Sequence, residues 1–253
     1  MNNMPRKARD MRDEQADYLF VSPVSGSDTQ SRMIQAAIEV FGSLGYAGAS
    51  TRQLAKHAGV NQAAIPYHFG GKRELYLAAA SAIADNIQTR VDPIIAALRD
   101  DRGTDPVSRI ERSIIDFFQL LAGDDPEAWT EFFVRSERDA DDAFEIIYHQ
   151  AVARFQAQLI EAIAQATGVP PTDEDLNIRV VIVLGSIANF RTLRNVMLSS
   201  LGWDKLDVER RTRLETAIRQ FALAHLLGNR PTDRAIPRHA SHSLADGGHP
   251  PSA

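Results

Sequence analysis

The apolar residues of this chain recur at helical spacing almost throughout, and that pattern excludes most architectures at once. Met33, Ala37, Phe41 and Leu44 stand at i, i+4, i+8 and i+11, with Ile34 and Ile38 beside them. Phe144, Tyr148, Ala151, Phe155, Leu159 and Ile163 draw a second, longer stripe. Leu214, Ile218, Phe221, Ala222, His225 and Leu226 draw a third. Residues 72–99, 105–122, 126–136 and 174–200 complete the helical reading. Gly45 is expected to stop the opening helix, and Pro93 to kink or break the helix over 72–99. Alternating β-branched runs bounded by Asn-Gly or Asp-Gly do not occur. The predicted fold class is all-α.

The stretches outside the periodic region read differently. Residues 1–27 mix charges around one apolar patch (Tyr18 to Val21) and are expected to form a flexible arm. Residues 229–253 are rich in Pro and Gly and are expected to be a disordered tail, with His239, His242 and His249 incidental rather than a metal site. The longest uncharged apolar stretch, Val180 to Phe190, is too short to span a bilayer, and the N-terminus lacks the apolar segment of a signal peptide. No membrane association and a cytoplasmic location are expected.

Several chemistries are absent from the sequence. With no Cys there is no disulfide framework, thiolate zinc site, iron–sulfur cluster or thiol nucleophile. No Gly-rich phosphate loop, nucleophile elbow or metalloprotease motif occurs. The acidic run Glu137, Asp139, Asp141, Asp142 and Glu145 lacks calcium-loop spacing and reads as a solvated helix start. The chain is expected to be no enzyme and to carry no cofactor or metal.

Charge is unevenly divided. The whole chain is at −5, yet residues 28–80 hold five Lys/Arg against three acids, while 81–230 hold 17 against 24. A slightly basic head on an acidic body suits a small polyanion-binding module carried by a larger domain.

Within that head, Ser50 or Thr51 can cap a two-turn helix whose Leu54 and Ala55 face inward. Gly59 falls where a left-handed stop is needed, Val60 plugs the corner, and Asn61 caps a second short helix. That second helix exposes Gln62, Ala63 and Tyr67 and buries Ile65. Two short helices joined by a Gly turn read either as a helix-turn-helix or as a generic helical hairpin.

The run that follows is Tyr67-His68-Phe69-Gly70-Gly71-Lys72-Arg73-Glu74-Leu75-Tyr76. Together with Ala36-Ala37, Phe41, Gly45-Tyr46, Thr51, Leu54-Ala55 and Ala58-Gly59-Val60, it resembles the TetR family of bacterial transcription regulators over residues 29–80. Further along, Phe132-Phe133-Val134-Arg135, Asn189-Phe190-Arg191-Thr192 and Gly202-Trp203 are similar to the CerR/CecR-type subgroup.

The resemblance implies a DNA-binding domain at 28–80 and an effector-binding and dimerising body at 81–228. It implies a homodimer, paired through 174–200 and 207–228, on a palindromic double-stranded operator. A ligand-released repressor is the leading expectation. An activator of the same fold, a helical enzyme and a protein-binding scaffold are the alternatives. Candidate DNA contacts are Thr51, Arg52, Gln62, Ala63, Tyr67, His68 and Lys72. Thr51 and Lys72 suit phosphates at helix N-termini. Pro66 departs from the family pattern and is expected to shorten or bend the second helix. For an apolar or aromatic effector the candidates are Trp129, Phe133, Tyr148 and Phe190, with Asn189 and Arg191 as polar anchors. Each aromatic taken alone reads first as core and second as cavity lining. Arg191 and Arg194 share a helix face and suit structural pairing first, an anionic effector second.

Overall fold

The computed structural model describes residues 29–100, 103, 105–123 and 126–228. The arm (1–27) and the tail (229–253) with its histidines lie outside these residues. The first stripe becomes α1 (Thr29–Gly48), with Met33, Ala37 and Phe41 buried. Gly45 leaves helical geometry there (φ 72, ψ 169), so the expected stop appears as a break before one last turn. Then follow α2 (Thr51–Ala58), α3 (Ala64–Phe69) and α4 (Lys72–Arg99). The expected break at Pro93 does not occur, and α4 runs on to Arg99. The proline ring costs one backbone bond. Burial of Val91, Ile94, Ile95 and Leu98 around it holds the helix in line.

α5 (Pro106–Leu121), α6 (Glu127–Asp139) and α7 (Asp142–Ile147) lead through a π-helical turn at Tyr148–Val152 into α8 (Ala153–Thr167). From α7 to α8 Ala143, Ile147, Ala151, Phe155, Leu159 and Ile163 are buried at four-residue steps, with Ile160 and Ala164 buried beside them at the end of α8. A strict four-residue repeat drifts around an ordinary helix of 3.6 residues per turn. The wider π turn takes up that drift and keeps the run on one face. Phe144 and Tyr148, expected in the stripe, sit beside it and stack on each other at 5.6 Å.

Residues 174–200, expected as one helix, form α9 (Glu174–Thr192) and α10 (Arg194–Ser200), bent by 92° at Leu193. α11 (Val208–Leu226) closes the body. Its buried residues are Ile218, Ala222 and Leu226, one turn apart. His225 therefore lies on the neighbouring, exposed face, with Nδ1 2.7 Å from the Phe221 carbonyl. It is not a core histidine. No single helix among the described residues is long and apolar enough to cross a membrane; only the bent pair α9 and α10 passes by length and composition.

Two hydrophobic cores result. One gathers Met33, Ala37, Phe41, Leu54, Ile65, Leu75, Ala79 and Ile83, and borrows Phe132 from α6 and Ile147 from α7. The other gathers α5, α8, α9, α11 and the second half of α4, around Phe118, Phe155 and Val180. α4 is common to both, so the expected boundary after residue 80 falls inside a continuous helix, and Ile87 packs against each core.

Candidate nucleic-acid interface

Local caps build the face that carries the candidate contacts. Ser50, not Thr51, caps α2: its hydroxyl accepts from the Gln53 amide at 3.2 Å, and the Gln53 side chain accepts from the Ser50 N–H at 2.9 Å. Gly59 ends α2 in the left-handed region (φ 64, ψ 37), and the Val60 N–H reaches back to the Ala55 carbonyl at 3.0 Å. Asn61 then folds a turn rather than capping a helix directly. Its side chain accepts from the Ala63 N–H at 2.9 Å, and its carbonyl accepts from Ala64 at 2.9 Å.

α3 thus starts later than expected, at Ala64, and Gln62 and Ala63 stand in the turn that leads into it. This changes the meaning of Pro66. It occupies the third helical position, where the backbone N–H would have no intrahelical partner anyway. The proline therefore does not cost the helix a bond.

Ile65 is fully buried and anchors α3, whereas Tyr67 is 84% exposed, its ring edge-on to His68 at 4.8 Å. Its exposed ring stands at the C-terminal half of a six-residue helix. The Gln62 amide donates to Thr51 Oγ1 at 3.0 Å. Thr51, Gln62, Ala63, Pro66 and Gly71 border a concavity of about 380 Å³. The N-termini of α2 and α4 both open beside it, and helix N-termini attract phosphate through free N–H groups and the helix dipole. Lys72 begins α4, next to the lining residue Gly71, with its ammonium 4.4 Å from the Tyr46 ring centre. Arg52 and Lys56 are exposed on α2.

A pair at 2.5 Å between His57 Nε2 and Glu39 Oε2 ties α2 to α1. Partial burial pushes the Glu39 carboxyl up, but hydrogen bonds from Gln35 and His57 outweigh it and hold the group below its ordinary range. All seven candidate DNA contacts thus lie on α2, α3, the turn between them or the first residue of α4.

The effector candidates do not share one cavity. Trp129 and Phe133 on α6 pack against the head core, and the Trp129 indole N–H is buried without a hydrogen-bond partner among the described residues. Tyr148 belongs to the π turn, and Phe190 meets Phe118 edge-on at 5.5 Å in the body core. Asn189 is exposed. Arg191 donates to Thr130 Oγ1 at 2.6 Å and to the carbonyls of Gly123 and Pro126 at 3.1 and 3.3 Å. Arg194 donates to the Ala122 carbonyl at 3.3 Å. Both arginines border a groove of about 610 Å³ with Thr130, Val134 and Val196.

The sequence concealed how α6 is held at its other end. Arg135 donates to the carbonyls of Gly42 and Ser43 in α1, the second at 2.8 Å. Gly42 was the available signal: a Cβ there would stand 2.7 Å from the Ala128 carbonyl, so α6 packs on bare α1 backbone. The acidic run is a helix start as expected, with Asp141 accepting from the N–H groups of Ala143 and Phe144. It also latches the head, because Tyr76 donates to Asp141 at 2.7 Å and Arg73 pairs with Asp142. Burial, together with that contact, raises the Tyr76 pKa.

The fold and this face define a helix-turn-helix protein whose small head rides on a larger helical body. Residues 33–79 match the bacterial regulatory proteins of the tetR family, and residues 106–229 match the C-terminal domain of the HTH-type transcriptional dual regulator CecR. The chain is 31% identical over 196 residues to CecR of Shigella flexneri, spanning 74% of this chain and 86% of that protein. It belongs to the TetR family, with a CecR-type C-terminal domain, and is a DNA-binding transcriptional regulator rather than an enzyme.

Solved structures agree on the fold. A transcriptional regulator from Rhodococcus sp. Rha1 superposes with a TM-score of 0.56 at 20% identity, covering 79% of this chain and 97% of that one. The regulator FadR from Bacillus subtilis, in complex with stearoyl-CoA, gives 0.53 at 17% identity, covering 79% and 98%.

Proposed function

We propose that the chain acts as a homodimeric repressor on a palindromic operator and leaves DNA when a small, mostly apolar or aromatic molecule fills its body. The observation that carries this reading is the double anchoring of α6. Arg135 ties it to α1 in the head, and Arg191 ties it to α9 in the body. A displacement of α9 or α6 by a ligand is passed to the helix that supports the reading turn. Residues 28–80 are the DNA-binding unit in this reading, and 81–228 sense and dimerise.

Pairing through α9 and α11 accounts for their outer faces. Ile178, Val181 and Ile182 are 48%, 52% and 53% exposed on α9, and Phe221 is exposed on α11. Such a patch on one protomer fits an isologous contact with a second copy. Two heads then meet half-sites about 34–36 Å apart, or a multiple of that. The seven candidate contacts of the head are the proposed DNA contacts. The groove at Arg191, near Asn189 and Phe190, is the proposed entry for the effector, with Trp129, Phe133 and Tyr148 along α6 and the π turn responding to it. The stearoyl-CoA held by the FadR neighbour supports an apolar ligand class. The reading places the protein in the cytoplasm. The name dual regulator borne by the Shigella relative favours a second reading, in which the same dimer activates from some operator positions.

A panel of apolar and aromatic compounds, scored by tryptophan fluorescence and by mobility shift on selected DNA, tests the proposal. Linkage requires that a compound releasing DNA binds less tightly when DNA is present. Compounds that change the fluorescence yet leave DNA affinity untouched contradict it.

A further inference from the structure

We propose that Thr51 is a positioning residue for Gln62, so that a backbone phosphate and a base edge are bound as one coupled unit. The inference rests on the reading of Gln62 as a base contact. Three observations carry it. The Gln62 Nε2 donates to Thr51 Oγ1 at 3.0 Å across two elements eleven residues apart. The cap of α2 is served by Ser50 and Gln53, so the Thr51 hydroxyl is not consumed there. Both side chains border the same concavity, at the N-terminal opening of α2.

The chemistry follows from donor and acceptor inventories. A threonine hydroxyl accepts through its lone pairs and keeps one hydrogen to donate. Accepting from Gln62 leaves that hydrogen for a phosphate oxygen, and hydrogen bonds in such a chain strengthen one another. Gln62 is a long, exposed side chain in a turn, and the bond to Thr51 is what orients its amide. When the amide hydrogen trans to the carbonyl makes that bond, the carbonyl oxygen and the cis N–H remain free as one paired edge. That is the paired acceptor and donor that matches the N6 and N7 edge of adenine. Phosphate docking at Thr51 therefore sets the geometry in which Gln62 reads.

A double-mutant cycle tests this on two probes: a duplex selected by the wild-type chain from a random pool, and a shuffled duplex of the same composition. Thr51→Val is expected to weaken binding to the selected duplex by about tenfold in the wild type but only about twofold in Gln62→Ala, the difference being the coupling. On the shuffled duplex the loss is equal in both backgrounds. Thr51→Ser, which keeps the hydroxyl, restores the coupling. Thr51→Ala serves as the hydroxyl-free variant should Val disturb the fold, as judged by circular dichroism. If Gln62→Ala leaves the preference for the selected duplex unchanged, the base-contact reading fails first. If Gln62→Ala abolishes that preference but the two substitutions act additively, the base contact stands and the positioning role is overturned.

Discussion

α3 has six residues and buries one side chain, Ile65, whereas α9 has nineteen and buries five. The short helix exists because caps and turns on either side dictate it: the Ser50–Gln53 box, the left-handed Gly59 and the Asn61 turn. The long one exists because Leu176, Val180, Val183, Leu184 and Ile187 find a core. A region shaped by local chemistry exhibits its caps and turns in the sequence. A region shaped by packing exhibits its core and conceals what its surface does. α6 joins the two regimes, since it belongs to the body chain yet places Phe132 in the head core.

The sharpest way to break this comparison is Phe132→Ala. Were the head self-sufficient, the substitution would leave it intact. Phe132 is 1% exposed, and its loss is expected to cost about 3–5 kcal/mol in urea unfolding, with DNA binding falling alongside. A smaller effect distinguishes two similar glycines. Gly59 and Gly168 end α2 and α8 at φ 64 and 74. Alanine at either is expected to cost about 1–2 kcal/mol of stability, from left-handed strain. Only Gly59→Ala should also weaken DNA binding, because only that turn orients the reading face.

The smallest effect concerns the α1–α2 tie. The folded pKa of Glu39 is depressed, so its contribution to stability is present above its ordinary value of 4.5 and is lost as pH falls through the folded value. Glu39→Gln is expected to reduce the acid dependence of the urea midpoint slightly.

The head was largely legible in the sequence. The Ser50 cap and the Gly59 turn have a short-range physical meaning and fall where that meaning requires, whereas Asn61 folds a turn instead of capping α3, and the Tyr67-His68-Phe69 run was legible through a family resemblance. α3 is short, as expected, but the Asn61 turn that delays its start accounts for this rather than a backbone bond lost at Pro66. Pro93 misled because four buried neighbours outweigh one missing bond. In the body, helix positions were readable from apolar spacing, but α6 is anchored largely through main-chain carbonyls, those of Gly42 and Ser43 to Arg135 and that of Pro126 to Arg191. Every residue has such a carbonyl, so no sequence pattern marks the ones that are used. The aromatics pointed toward a single cavity only because sequence cannot say which core each one joins.

The central claim is that the opening between α2 and α4 binds DNA phosphates. The direct measurement is the salt dependence of DNA affinity for the wild type and Lys72→Ala, on a selected duplex and a random one. A phosphate contact carries no base information, so both duplexes should lose affinity alike. The slope of log affinity against log salt should flatten by about one unit for each contact removed, which is about two for the proposed dimer. If Lys72→Ala remains folded, with Tyr46 still packed, and leaves affinity and slope unchanged on both duplexes, the cation serves only the Tyr46 ring and the proposed phosphate face is contradicted.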